Sequence, residues 1–133
     1  MDPRHHKRLK TVQYLFALSF EADKNYVEVP FKDETFSKDI LKNKEEINAC
    51  IQKYAPKYPV EKIAKIDLSI LQLAIYELLF VEKRQPTKVI INEAVELAKE
   101  LGNERSYAFV NAVLGSIVNE ITNKEPSDGN KSE

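Results

Sequence analysis

An all-α bundle of six to seven helices is the fold class this sequence predicts, and three observations predict it. Apolar residues recur three and four positions apart along most of the chain, the spacing that lines one face of an α-helix. No segment of useful length alternates apolar and polar residues as a half-buried strand would, and no internal repeat returns at a fixed period. The 133 residues include 43% hydrophobic and 31% charged side chains but only three glycines, a balance suited to a helical globular chain rather than a disordered one. One domain over residues 1–122, followed by a polar tail over 123–133, accounts for that length.

A first helix is expected over residues 4–22, with Leu9, Val12, Leu15, Phe16 and Phe20 as its buried stripe. Residues 23–34 break the period and contain Pro30, so they read as a loop. Thr35 or Ser37 can cap a second helix carrying Ile40, Ile47, Ile51 and Tyr54. Pro56 and Pro59 close it, since neither can continue a hydrogen-bonded helix interior, and Pro59 can open a short turn holding Val60 and Ile63. Asp67 reads as the N-cap of the next helix, which runs to about residue 82. Its Leu68, Ile70, Leu71, Leu73, Ala74, Ile75, Leu78 and Leu79 leave it apolar on nearly every side, as in the central helix of a bundle. After Pro86, Thr87 can cap a helix through residue 101, and Gly102 stands where a left-handed C-cap is wanted. A last helix over 104–122 buries Phe109, Val110, Val113, Leu114, Ile117 and Ile121.

Enzyme chemistry finds little support in the residues. There is no glycine-rich phosphate loop, no serine elbow and no pair of cysteines at metal spacing. His5 and His6 are neighbours whose side chains diverge on a helix, a poor metal pair. Cys50 beside an apolar stripe reads as a small core residue rather than a reactive thiol, and a single cysteine suits a reducing, cytoplasmic setting. Neither a signal segment nor an apolar run long enough for a membrane span is expected. Glu77 sits amid the apolar residues of the central helix, where a charge must be paired or hydrogen-bonded, so a structural partner is expected there rather than a catalytic role. Asn111 reads first as a satisfied core amide. No catalytic residue, metal or cofactor is assigned.

Charge is more informative in its distribution than in its sum of −1. Arg4, His5, His6, Lys7, Arg8 and Lys10 crowd the first ten residues against the one acid Asp2, leaving the remainder mildly acidic. On a helix Arg4, Lys7, Arg8 and Thr11 form one polar stripe. Cations at a helix N-terminus face the positive end of its dipole, so a cluster placed there suggests a bound anion, phosphate above all. A merely solvated basic terminus explains the composition equally well.

Three blocks in the second half are more specific. They are residues 67–78 (DLSILQLAIYEL), 86–99 (PTKVIINEAVELAK) and 109–114 (FVNAVL), preceded by a basic first helix containing 12–16 (VQYLF). Their order and spacing resemble the NusB family over most of residues 4–121, with 23–56 weakly matched. That resemblance implies two packed three-helix bundles and a non-catalytic role in transcription antitermination on ribosomal RNA operons. It implies ribosomal protein NusE as partner, boxA-type single-stranded RNA as ligand, and an RNA polymerase complex that includes NusA and NusG. Carried over by position, Arg4, His5, His6, Lys7 and Arg8 would face RNA. Phe16 would stack where a tyrosine is common, and Arg105 and Ser106 would sit near RNA in the turn before the last helix. Glu61 and Asp67 would face NusE, although both also suit helix N-termini. Departures from the family pattern are His5 and His6 for arginines, Arg105 for an acid and Ala112 for a glycine.

Two other readings stay open at this level. A NusB-like domain also precedes the catalytic domain of some ribosomal RNA cytosine methyltransferases, but no such domain or cofactor loop is present in these residues. The second is a helical adaptor that binds only proteins, for which RNA affinity and its salt dependence would be lacking.

Overall fold

The apolar stripe at the start of the chain becomes α1, Pro3–Leu18, in the computed structural model, which describes residues 3–20 and 36–124. Val12, Leu15 and Leu18 are buried on it, and the chain leaves the helix through a turn in which the Ser19 N–H donates to the Leu15 and Phe16 carbonyls. The expected loop over 23–34, the candidate cap Thr35 and most of the expected tail lie outside the described residues.

The single helix expected over 37–54 is instead two. α2, Ser37–Lys42, meets α3, Lys44–Tyr54, at Asn43. The Asn43 side chain donates to the Asp39 carbonyl at 2.8 Å, and its own N–H also bonds to that carbonyl and to Ile40's. Asparagine competes with regular helix pairing in this way, and its own carbonyl then starts α3 by accepting from Ile47 N–H. Ile40, Ile47 and Ile51 still share the core as expected. The stretch after α3 is clasped by Gln52, which donates to the Tyr58 carbonyl at 2.9 Å and accepts from Val60 N–H at 3.0 Å. Val60–Lys62 then forms a 3₁₀ turn.

α4, Lys65–Leu79, begins earlier than its acid suggested: Ala64 is the N-cap, and Asp67 lies within the first turn. Every residue from Ser69 to Leu78 is buried, as the unbroken apolar pattern requires. α4 touches each of the other α-helices, and with α5, Thr87–Leu101, and α6, Ser106–Lys124, it makes a mutually packed trio. α2 touches α1, α3 and α4, so the N-terminal helices assemble on the same central rod. Ile70, Leu71, Ile75, Ile90, Leu97, Leu114 and Ile117 are essentially fully buried around it. Each such side chain contributes roughly 1.5–3 kcal/mol relative to exposure. Polar ties fix the packing: Tyr76 donates to Asp39 at 2.9 Å, Gln72 to Asn48 at 2.9 Å, and Tyr54 to Glu120. Among the described residues no strand occurs, and no helix is long and apolar enough to cross a membrane.

Three local expectations are corrected. Pro86, not Thr87, precedes α5 as N-cap; Thr87 Oγ1 is taken up by Arg84, which donates to it at 2.9 Å. Gly102 is not left-handed but extended, with φ −96° and ψ −167°, so its lack of a side chain serves close approach. A Cβ there would stand 2.5 Å from Ser106 Cβ and 2.9 Å from the Ala98 carbonyl oxygen. Asn111 is exposed rather than a core amide, because α6 turns Val110, Val113 and Leu114 inward instead.

Candidate nucleic-acid interface

The basic start of the chain is helical, but its cations divide between two environments. Arg4, His6 and Lys7 are exposed, whereas Arg8 is 5% exposed and Thr11 is fully buried. Thr11 Oγ1 donates to the Lys7 carbonyl at 2.8 Å and accepts from Phe36 N–H at 3.4 Å. Arg8 answers the expectation of a partner for Glu77: Nε donates to Oε2 at 2.7 Å and Nη2 to Oε1 at 2.8 Å. The two planar groups match in the bidentate geometry that makes such pairs strong. The expected polar stripe is therefore split, with Arg8 joined to the core.

His5 is likewise engaged within the chain. Its Nδ1 lies 2.9 Å from Glu93 Oε1 and its Nε2 3.2 Å from Glu100 Oε1, both on α5. The hydrogen bond to Glu93 holds the imidazole pKa above its usual value, so His5 carries positive charge more readily than an isolated histidine. Sequence reasoning missed these two acids as partners. Their seven-residue separation, two turns on one helix face, was the available signal.

Phe16 is half-buried and meets Phe20 edge-on, with ring centroids 4.9 Å apart. Both line an open apolar groove of about 570 Å³ together with Ile66 and Leu101, and Lys65 Nζ stands 5.4 Å from the Phe20 ring. Leu101 leads directly into the turn before α6. There Arg105 is exposed, and its N–H donates to Asn103 Oδ1 at 2.8 Å. Ser106 is buried, and its Oγ accepts from Asn103 N–H at 3.0 Å. The groove thus associates Phe16 with the end of α5, while Ser106 serves the turn itself.

The two candidate partner-facing acids differ. Glu61 is exposed on the 3₁₀ turn. Asp67 is 7% exposed, and its Oδ1 has no hydrogen-bond partner among the described residues. Its place in the first turn of α4 sets a negative charge against the positive end of the helix dipole. Cys50 is partly buried against the core, and burial pushes its thiol pKa up, which disfavours the thiolate. Among the described residues no three His, Cys, Asp or Glu side chains gather to hold a metal ion.

A second cleft, of about 250 Å³, opens beside the start of α1. Arg4 and Lys7 line it from the helix, and Lys83 and Arg84 from the connection between α4 and α5. Nothing local in residues 82–85 announces that they fold toward the N-terminus.

The family model described as the NusB family matches residues 5–119, almost all of this architecture. The chain belongs to the NusB family. Among NusB proteins, the transcription antitermination protein NusB of Lactiplantibacillus plantarum is 38% identical over 136 aligned positions, covering 90% of this chain and 97% of its own. That of Clostridium botulinum strain Loch Maree is 42% identical over 106 positions, covering 75% and 74% respectively. The solved structure of T. maritima NusB superposes with a TM-score of 0.75 at 32% identity, covering 90% of this chain and 92% of that one. A crystal structure of the antitermination factors NusB and NusE with double-stranded RNA shares the fold, with a TM-score of 0.68 at 20% identity over 90% of this chain and 99% of its own.

Proposed function

We propose that this NusB family member is a non-catalytic transcription antitermination factor. It pairs with ribosomal protein NusE and binds boxA-type single-stranded RNA of ribosomal RNA operons in the cytoplasm. The pair then joins RNA polymerase together with NusA and NusG. The observation that carries this reading is the match to NusB proteins along nearly the whole chain, including relatives named as antitermination proteins. A NusB–NusE complex holding RNA has the same fold, which supports the same division of labour. In this reading Arg4, Lys7 and Arg105 present charge to phosphates, His6 offers a ring N–H to the strand, and His5 adds charge when protonated. Phe16 offers a ring face for a base, and Ser106 and Arg8 hold the surrounding elements in place. Glu61 and Asp67 face NusE.

The test is fluorescence anisotropy of a boxA-like RNA against a scrambled control, with and without NusE, at two salt concentrations. Sequence-selective, salt-sensitive binding strengthened by NusE is expected. Absence of RNA binding under every condition, with NusE still bound, would replace this reading by a protein-only adaptor. One observation favours that second reading: two of the candidate cations, His5 and Arg8, already face carboxylates of the same chain.

A further inference from the structure

The cleft beside the start of α1 gathers cations from two separate segments of the chain. Four cations, Arg4, Lys7, Lys83 and Arg84, line it over a floor formed by the Arg8–Glu77 pair. Among the described residues that line the cleft Glu77 is the one acid, and its bidentate pair with Arg8 neutralises it. In a protein whose net charge is −1, the cleft therefore carries a local excess of positive charge. Further contacts hold Lys7 and Arg84 in place. Lys7 Nζ lies 4.2 Å from the centroid of the Phe36 ring, and Phe36 rests against Tyr76 of α4 at 5.2 Å. Arg84 Nη1 donates to Thr87 Oγ1 at 2.9 Å and to the Gln85 carbonyl at 3.2 Å, which fixes the guanidinium at the start of α5. A guanidinium has five N–H donors, and both of these contacts use Nη1.

Like charges gathered around a concave site repel one another unless an anion lies between them, and arginine's fork matches phosphate oxygens. We infer that this cleft binds backbone phosphates of an RNA strand, with Lys83 and Arg84 as phosphate contacts in addition to Arg4 and Lys7. The inference rests on the RNA-binding reading above and extends its surface from α1 onto the α4–α5 connection. Contacts of this kind position a strand without reading its sequence, so they lengthen the footprint and leave selectivity to other residues.

The experiment compares the full chain with the variants Lys83→Ala, Arg84→Lys and Lys83→Ala/Arg84→Ala, using labelled single-stranded RNA across a salt series under the condition in which the unaltered protein binds. Each lost phosphate contact should reduce the slope of log affinity against log salt by about 0.7. For the double variant, its affinity deficit should then shrink about sevenfold between about 50 and about 200 mM salt. The deficit should be equal for boxA-like and scrambled RNA, and Arg84→Lys, which keeps the charge, should retain most of the affinity. Lys83→Ala alone should lose one contact's worth of slope, which separates lost charge from any disturbance at the start of α5. An unchanged slope in Lys83→Ala and in the double variant, with RNA binding otherwise intact, overturns the cleft while leaving the RNA reading standing. No RNA binding by the unaltered protein under any condition removes both.

Discussion

Arg8 and Glu77 meet as a bidentate ion pair, 2.7 and 2.8 Å across, with both side chains only 6% exposed. The pair joins the middle of α1 to the last turns of α4, and Arg8 Nη1 also lies 3.8 Å from Glu93 of α5. Three helices are thus registered against one guanidinium.

Replacing Arg8 with alanine should therefore destabilise the fold, by about 3–5 kcal/mol, because it leaves Glu77 as an uncompensated buried charge. Urea denaturation checks this. Removing both partners, as Arg8→Met with Glu77→Leu, should cost much less. Equal losses for the single and double replacements would mean the pair contributes only packing.

Arg4→Ala tests phosphate contact at an exposed position. Helicity should be unchanged while the salt slope of RNA binding falls by about 0.7. An unchanged slope would reduce Arg4 to a solvated terminus.

His5 should make stability depend on pH. Its folded pKa is raised by the hydrogen bond to Glu93, and further by Glu100. The stabilisation is fully present below the unfolded value of about 6.5, down to the range where the carboxylates protonate, and is lost as pH rises through the raised folded pKa. Thermal midpoints of the unaltered protein and His5→Gln should differ most in mildly acidic buffer and converge in alkaline buffer. A difference that stays constant with pH would contradict the assignment.

Gly102→Ala should destabilise by about 1–3 kcal/mol, because the new methyl group runs into Ser106 and the Ala98 carbonyl. Backbone strain plays no part, since φ is negative there. The same variant should weaken RNA binding if the turn carrying Arg105 shifts. A chemical-denaturation midpoint equal to that of the unaltered protein would show that the turn absorbs the methyl freely.

Asp67→Asn removes a charge at nearly constant shape, at a cost of about 0.3–1 kcal/mol from the helix dipole. NusE binding should fall more than RNA binding by the isolated protein, as measured by calorimetry and anisotropy. Equal loss of both, together with a lowered melting temperature, would instead mark damage to the start of α4. Charge reversal is a poorer test, because Asp67 is buried.

Most of the helical architecture was legible because burial here follows a period of three to four residues. Ile47 and Ile51, Ile70 and Ala74, and Val110 and Leu114 all report their shared faces directly. What was illegible depended on local competition or long-range meeting. The break at Asn43 comes from one side-chain amide bonding the backbone, which no apolar stripe records. Glu77 announced that it needed a partner, but its partner lies 69 positions away, and that choice moved Arg8 from the candidate surface into the core. The cation cluster of Arg4, Lys7, Lys83 and Arg84 was hidden for the same reason: only the packing of α1 on α4 brings the two segments together.

Because α4 contacts every other helix, the order in which the chain is made matters. A ribosome synthesises α1, α2 and α3 before the residues up to Leu79 that receive them. Until then Val12, Ile40, Ile47 and Ile51 have no central rod to pack against, and their apolar faces stay exposed to solvent and to other nascent chains. Emergence of α4 is thus the step that commits the N-terminal half to its native place, and a pause in translation just before residue 65 would prolong the interval in which that half is most prone to aggregate.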